Sequence, residues 1–255
     1  MSSKVPILTY HSIDDSDSVI SISPEKFRSQ MYYLREKDFN VISLKDITTC
    51  LVEKAPLPSR SVVITFDDGF KNFYDIAYPV LKNLGFTATV FLVPGYCDKN
   101  NKWHNQPKGI PVLDLLDWEQ VREMADNGID FGAHTMNHVN LLNLTLEQAR
   151  EEIVNSKRFI EKYLDKSVQF FAYPYGQLND EIKAIVHDIF SGACSVELDL
   201  VDGNSDINAL PRIEMYYFSN NNLFTWLGTS KFPFYIKIRN SMRLFRKQIS
   251  FITGG

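Results

Sequence analysis

Two adjacent carboxylates stand directly after an apolar, β-branched segment of the chain. The run Ser61–Ile64 predicts a buried strand, and the sequence TFDDG follows at residues 65–69, which places Asp67 and Asp68 where the strand ends. In folds built from parallel strands, sites are assembled at that end. Two neighbouring aspartates in a confined place repel each other unless a cation or a proton separates them. The pair therefore predicts a metal site, and Gly69 allows a sharp turn after it.

A histidine pair follows a second predicted strand and offers the remaining ligands. Residues 130–133 indicate a strand that ends at His134, and His138 follows four residues later. On a helical turn, an i,i+4 pair of imidazoles faces the same way. One carboxylate with two imidazoles leaves coordination positions open for water and substrate. Each motif alone is commonly a turn or a surface feature, but their joint occurrence at strand ends favours a site.

These two motifs, in this order and at this separation, resemble the first two motifs of the polysaccharide deacetylase family, the NodB-like carbohydrate esterases of family 4 type. The sequence FAYPYG at residues 171–176 is similar to the third motif. The family pattern covers most of the chain from Val5 to about Met215. The resemblance implies a single-domain α/β fold, an irregular (β/α) barrel with fewer strands than the standard barrel. The alternation of predicted strands and helices favours the same architecture.

The resemblance also implies a role for each residue of the site. Asp68, His134 and His138 hold a divalent metal, expected to be zinc, which polarises an acetyl carbonyl and activates water. Asp67 lies beside the metal without binding it and takes the proton from the water as general base. The backbone N–H of Tyr175 stabilises the oxyanion. The implied reaction is hydrolysis of an N-acetyl group on N-acetylglucosamine units.

One departure from the family pattern concerns the orientation of the base. Many relatives carry an arginine two residues before the proline of the third motif, whereas this chain has Ala172. Arg212, on a late predicted strand, is the best substitute, although a surface ion pair explains it equally well. Together with the second departure, described next, this feature resembles a branch of the family whose members act on exopolysaccharides or on sugars of cell-envelope assembly.

The second departure concerns the general acid. Relatives use a late histidine to protonate the leaving amine, and this chain has none after His187, which the pattern places inside a helix. His104 lies in a predicted loop. By elimination His11, at the end of the first predicted strand, is the candidate acid. The alternative is that water at the metal, or the protonated Asp67, returns the proton.

Length, charge and cysteine content narrow the function classes. With 255 residues and 44% hydrophobic residues, the chain is long enough for one large domain. Its net charge of −4 gives no general attraction to nucleic acid, so no such partner is expected. Three widely spaced cysteines show neither metal spacing nor a disulfide framework. No signal peptide or transmembrane run is visible, which predicts a cytoplasmic protein.

The composition changes from residue 218 onward. We expect a deacetylase barrel over residues 1–217 and a basic amphipathic extension over residues 218–255 packed on it. Within residues 231–247, basic side chains alternate with apolar ones. A last amphipathic helix on the barrel is one interpretation. Peripheral contact of this segment with an anionic membrane, or docking of a partner, is the other.

The predicted function is a metal-dependent hydrolase that removes acetyl groups from an N-acetylated sugar or polysaccharide. Two alternatives stay open at this point. One is hydrolysis of a small amide or cyclic ureide in a narrow pocket, and the other is a non-catalytic carbohydrate-binding or scaffold protein. The complete set of base and ligands favours the enzyme, because Asp67 has no structural role that demands a carboxylate.

Overall fold

A curved parallel sheet forms the centre of the fold. The structure, a computed structural model, describes residues 4–104, 106–218 and 222–252, without the side chains of residues 222 and 244–252. Its strands are β1 (Ile7–Tyr10), β2 (Ser12–Ile13), β3 (Ser21–Ile22), β4 (Asn40–Val41), β5 (Ser61–Phe66), β6 (Thr89–Leu92), β7 (Asp130–Ala133), β8 (Phe170–Ala172), β9 (Gly192–Cys194) and β10 (Ile213–Glu214). The main sheet has the order β10-β1-β5-β6-β7-β8-β9, β4 pairs with β5, and β2 and β3 form a separate pair.

Helices connect and cover these strands. They are α1 (Pro24–Glu36), α2 (Leu44–Val52), α3 (Tyr78–Leu84), α4 (Trp118–Asp126), α5 (Leu146–Leu164), α6 (Asp180–Ile189) and α7 (Lys231–Ile252). The sequence predicts N-caps at Ser23, Asp117 and Thr145, and the structure confirms them, since each of these side chains accepts a hydrogen bond from the N3 backbone N–H at the start of α1, α4 or α5. The sequence also predicts a helix over residues 72–84; in the structure this segment begins as a π-helical turn, Phe73–Ala77, that leads into α3.

One local prediction was wrong. The sequence predicts a strand at residues 41–44, but β4 ends at Val41, and Leu44 begins α2. Ser43 accepts a hydrogen bond from the Asp46 N–H, and the Asp46 carboxylate accepts one from the Ser43 N–H. This reciprocal cap satisfies two backbone donors that the first turn leaves free, which favours a helix start over continuation of the strand.

The sheet closes through the segment that precedes β10. Leu210 exchanges backbone hydrogen bonds with Ala193 and Ser195 at the β9 side. Directly afterwards β10 pairs with β1, with Thr9 opposite Glu214. In the described part of the chain the ring therefore contains seven strands, fewer than the eight of a standard barrel. The predicted irregular barrel is confirmed, and its closure brings β10, a late strand, beside β1, which in turn pairs with β5.

The last helix contacts the barrel through its first turns. Phe232 and Ile236 are buried in the main hydrophobic core. The division of the chain at residue 218 stays a prediction. Parts of the C-terminal prediction rest on Asn220 and Asn221 and on the side chains of Arg246 and Lys247, which lie outside what the structure describes. No helix among the described residues has the length and apolar character needed to cross a bilayer, and the cytoplasmic location stays a prediction.

Candidate active site

A left-handed turn separates the two adjacent aspartates. Asp67 still continues the β1–β5 ladder, because its N–H donates to the Tyr10 carbonyl at 2.9 Å. Asp68 and Gly69 then both have φ of 73°, a conformation that glycine adopts freely and aspartate tolerates. A Cβ at Gly69 would also lie 2.8 Å from the Leu92 side chain. The turn directs the two carboxylates to different partners.

Asp68, His134 and His138 converge as the sequence predicts. All three are buried, and one ligand atom from each lies within 4.8 Å of the other two. Nε2 of His138 is 3.2 Å from Asp68 Oδ1, and Nε2 of His134 is 3.6 Å from it. The predicted helical turn between the histidines is wrong, because Thr135 and His138 have left-handed backbones, with φ of 63° and 54°. An irregular loop, and not helical spacing, brings the two rings together.

The protonation of His134 indicates that this cluster fits a cation. Its Nδ1 lies 2.7 Å from the Ala172 carbonyl oxygen, which can only accept, so Nδ1 carries the proton and Nε2 presents a lone pair toward Asp68. Burial lowers the pKa of His134 to about 4, so the ring is neutral at pH 7. Asp68 Oδ1 is buried and accepts no hydrogen bond from the described part of the chain. Electron-pair donors facing one another in this way are the donor set of a divalent metal.

Arg212 holds the other aspartate. Its Nη1 and Nη2 donate to Oδ1 and Oδ2 of Asp67, both at 2.7 Å, and its Nε donates to the Ser195 carbonyl at 2.9 Å. Arg212 is 3% exposed, which excludes the surface ion pair considered from the sequence. Burial alone would raise the pKa of Asp67, but the charge and hydrogen bonds of Arg212 outweigh it and hold the pKa well below its usual range. Asp67 is therefore an ionised carboxylate beside the cluster.

His11 lies between two carboxylates. Its Nε2 is 3.8 Å from Asp67 Oδ2, and its Nδ1 is 3.6 Å from Glu214 Oε2. Burial lowers the pKa of His11, but the charges of Glu214, Asp67 and Asp68 outweigh burial and the opposing charge of Arg212, so the pKa is raised above its ordinary value. The protonated form, which a general acid needs, is favoured.

Tyr175 stands at the turn after β8. Its φ of 58° is left-handed, and this conformation brings the phenol over His138, whose Nδ1 lies 3.1 Å from the Tyr175 hydroxyl. Burial, aided by the charge of Asp68, raises the pKa of Tyr175 to about 12, so the hydroxyl stays protonated at neutral pH. The side chain thus orients one ligand candidate, a contact that the sequence analysis did not anticipate.

Comparison with known proteins identifies the family. A family model described as polysaccharide deacetylase matches residues 54–189. The poly-β-1,6-N-acetyl-D-glucosamine N-deacetylase of Staphylococcus epidermidis is 32% identical over 203 residues, which are 76% of this chain and 67% of that protein. This chain belongs to the polysaccharide deacetylase family. Membership confirms the predicted resemblance and the deacetylase function.

Solved structures confirm the fold of this family member. IcaB from Ammonifex degensii superposes with a TM-score of 0.76 at 23% identity, covering 89% of this chain and 98% of that one. The Streptococcus pyogenes deacetylase PplD, in complex with acetate, superposes with a TM-score of 0.73 at 24% identity, covering 84% of this chain and 93% of that one. The curled sheet with its helices is therefore the architecture that this chain shares with both of these proteins.

Two residues of the candidate site could not be predicted, or only in part, from the sequence. Glu214 stands two positions after Arg212, and residues at i and i+2 of a strand share a face, so the position of Arg212 was the available signal. Trp103 belongs to a predicted loop at residues 94–111, where the sequence allows a substrate contact but favours simple packing; in the structure it is buried with its ring centroid 4.2 Å from that of His138. The other histidines are elsewhere, since His104 is exposed and His187 on α6 contacts Asn208.

A large cavity adjoins the candidate site. Its volume is about 1010 Å³, and one side of it is formed by His11, Asp67, Arg212, Glu214 and Tyr175. The three ligand candidates are not among its lining residues, but Asp67 and Tyr175 adjoin them. The volume is at the upper end of the range for sites that enclose drug-sized ligands. The cavity therefore has room for a substrate larger than one small amide.

Proposed function

We propose that this chain hydrolyses the N-acetyl groups of N-acetylglucosamine units in an oligosaccharide or polysaccharide, with zinc held by Asp68, His134 and His138. The observation that carries the proposal is the convergence of three buried electron-pair donors beside a carboxylate that an arginine keeps ionised. The name of the Staphylococcus epidermidis relative, a poly-β-1,6-N-acetyl-D-glucosamine N-deacetylase, supports a polymer of this sugar as the substrate.

The residues around the metal position divide the chemistry among them. When bound, the divalent metal supplies Lewis-acid polarisation of the acetyl carbonyl and lowers the pKa of water. Asp67 accepts the proton of the attacking water, and Arg212 holds its two oxygens in place without neutralising them. The backbone N–H of Tyr175 is proposed to donate to the acetyl oxygen as negative charge develops there.

His11 is proposed to protonate the leaving amine. An amide anion is too poor a leaving group, so the nitrogen must receive a proton before the C–N bond breaks. His11 is 3.8 Å from Asp67 and lines the same cavity. Glu214, 3.6 Å from the other ring nitrogen, favours the protonated ring. The proposed base and the proposed acid lie on one wall of the cavity, which favours a hydrolase over a non-catalytic scaffold protein.

The size of the cavity distinguishes the proposal from hydrolysis of a small amide or cyclic ureide. Such a substrate calls for a narrow, closed pocket, whereas the cavity of about 1010 Å³ has exposed residues such as Tyr217 and Met242 in its wall. A sugar chain is long enough to contact this exposed part of the wall, whereas a small amide or ureide is not. This observation favours a sugar chain.

Acetate release tests the proposal. We expect the purified chain to release acetate from a β-1,6-linked N-acetylglucosamine pentamer, to lose that activity with a chelator and to regain it with added zinc. Asp67→Asn serves as the control that keeps the metal ligands. Release that is insensitive to the chelator would contradict the metal role. Hydrolysis of small ureides without any release from the pentamer would contradict the sugar substrate.

A further inference from the structure

The helix α7 forms a wall of the cavity that Asp67, the proposed base, also lines. Its lining residues fall at i, i+3, i+4, i+7 and i+8, which is one face of a helix; they are Tyr235, Ile238, Arg239, Met242 and Arg243. Phe232 and Ile236, in the first two turns and adjoining this face, are buried in the main core. The start of the helix is thus held against the barrel, and most of its cavity-lining residues lie in the turns that follow.

Two guanidinium groups on this face have no anionic partner within the described part of the chain. Arg239 lies over the Tyr217 ring, with its Cζ 4.2 Å from the ring centroid, and donates to the Tyr235 hydroxyl at 2.8 Å. Arg243 donates to the Val196 carbonyl at 2.9 Å. Among the residues described, no carboxylate lies within ion-pair distance of either group. Each guanidinium has five N–H donors, so most of them are available to a ligand.

The surroundings of these arginines are suited to a saccharide. Tyr217, Ile238 and Met242 are each about half exposed and line the same cavity. Aromatic and apolar side chains of this kind pack against the C–H faces of pyranose rings, and a few placed polar groups determine orientation. The planar fork of arginine matches the geometry of phosphate and carboxylate oxygens.

We infer that Arg239 and Arg243 form a cationic subsite that selects substrates with an anionic group, a phosphate or a carboxylate, on a sugar next to the acetylated one. This inference rests on the proposed function. An anionic membrane surface is a different ligand for the same charges. The position of both arginines in the wall of the cavity that contains Asp67 favours the sugar chain.

The experiment compares matched oligosaccharides. The neutral substrate is an N-acetylglucosamine trisaccharide, and the charged ones carry a phosphate monoester at either end or a glucuronic acid as the neighbouring sugar. We expect kcat/KM for at least one charged trisaccharide to exceed that of the neutral one by about tenfold, through KM, the scale of one charge-assisted hydrogen bond. The phosphate and uronate arms distinguish the two sources of charge.

Variants of α7 test which side chains cause the preference for the charged trisaccharide. Arg239→Gln and Arg243→Gln are expected to reduce the preference several-fold, because they lose much more kcat/KM on the charged trisaccharide than on the neutral one, and Arg243→Lys is expected to keep most of the preference. Lys237→Gln is the matched control, because Lys237 is exposed on the same helix and does not line the cavity. The preference should also weaken as salt rises from 50 to about 500 mM.

Several outcomes would overturn the inference. Equal kinetics for charged and neutral trisaccharides would do so, as would equal losses on both substrates in the arginine variants, which would indicate a role in packing. Weaker binding of the variants to phosphatidylglycerol vesicles with unchanged kinetics would assign the charges to a membrane. The subsite and the proposed function can also fail separately. If calorimetry shows that the charged trisaccharide binds, that Arg243→Gln abolishes this binding and that no substrate releases acetate, the proposed function is contradicted but the subsite is supported.

Discussion

The two sides of the candidate active site differ in how the chain assembles them. The candidate metal side uses Asp68, His134 and His138, which belong to two short motifs inside the region that matches the family model. The proposed proton-transfer side joins Asp67 to Arg212, 145 positions away, and to His11 and Glu214, all three outside that region. Local motifs thus specify the candidate metal side, whereas closure of the barrel assembles the proposed proton-transfer side.

The pairing register explains how closure works. Tyr10 pairs with Phe66 in the β1–β5 ladder, so the residues that follow them, His11 and Asp67, leave the sheet side by side. On the other edge of β1, Thr9 pairs with Glu214. A shift of one residue would turn these side chains to the other face of the sheet. The proposed acid and base therefore depend on strand register.

Loss of a metal ligand should have the largest effect. We expect His134→Ala and His138→Ala to abolish stoichiometric metal binding and to slow hydrolysis roughly 10³-fold or more, because the metal provides several kcal/mol of transition-state stabilisation. Elemental analysis and acetate release measure the two effects. His187→Ala, on α6, is the control that should retain both. Wild-type metal content in both variants would refute the ligand assignment.

Removal of the base should leave the metal side intact. Asp67→Asn is expected to retain metal and to lose roughly 10²–10⁴-fold in hydrolysis. It also leaves Arg212 buried without its anion, which should destabilise the fold by about 3–5 kcal/mol in chemical denaturation. The double variant Asp67→Asn, Arg212→Met should recover stability but not activity. If Asp67→Asn loses the metal while Asp68→Asn keeps metal and activity, the two carboxylates have exchanged roles.

Removal of the proposed acid should slow the hydrolysis of an amide more than that of an activated ester. His11→Ala is expected to slow amide hydrolysis roughly 10²-fold with metal content unchanged. Cleavage of an activated acetyl ester should slow much less, because that leaving group needs little protonation. Parallel assays of both substrates measure the difference. Equal losses would make His11 a positioning or structural residue, and an unchanged amide rate would remove it from the mechanism.

Removal of the Glu214 carboxylate, which lies beside His11, should have the smallest effect. Glu214, Asp67 and Asp68 raise the pKa of His11, while burial and Arg212 lower it. Glu214→Gln removes the strongest raising charge, so the pKa of His11 should fall and the alkaline limb of the amide pH profile should move to lower pH. The neutral-pH rate should drop only a few-fold. A limb that stays in place, or moves to higher pH, would contradict the role of Glu214.

The sequence by itself determined the three residues of the candidate metal side that converge and much of the secondary structure around them. The Asp-Asp-Gly turn after β5, the two histidines after β7 and the caps of α1, α4 and α5 are local features, because each depends on residues within a few positions of one another. The irregular barrel followed from strand and helix alternation and from the resemblance. Even here the loop at His134–His138 was mistaken for a helical turn, since left-handed backbones at Thr135 and His138 have no clear sequence signal.

The tertiary structure alone decided the partners of Asp67. Sequence reasoning could place Arg212 on a late strand and His11 on the first, but their distance from Asp67 depends on which strands are neighbours and in what register. It also decided that Glu214 faces His11 and that one face of α7 lines the cavity. These contacts join residues far apart in the chain, and nothing in the local pattern specifies them before the sheet closes.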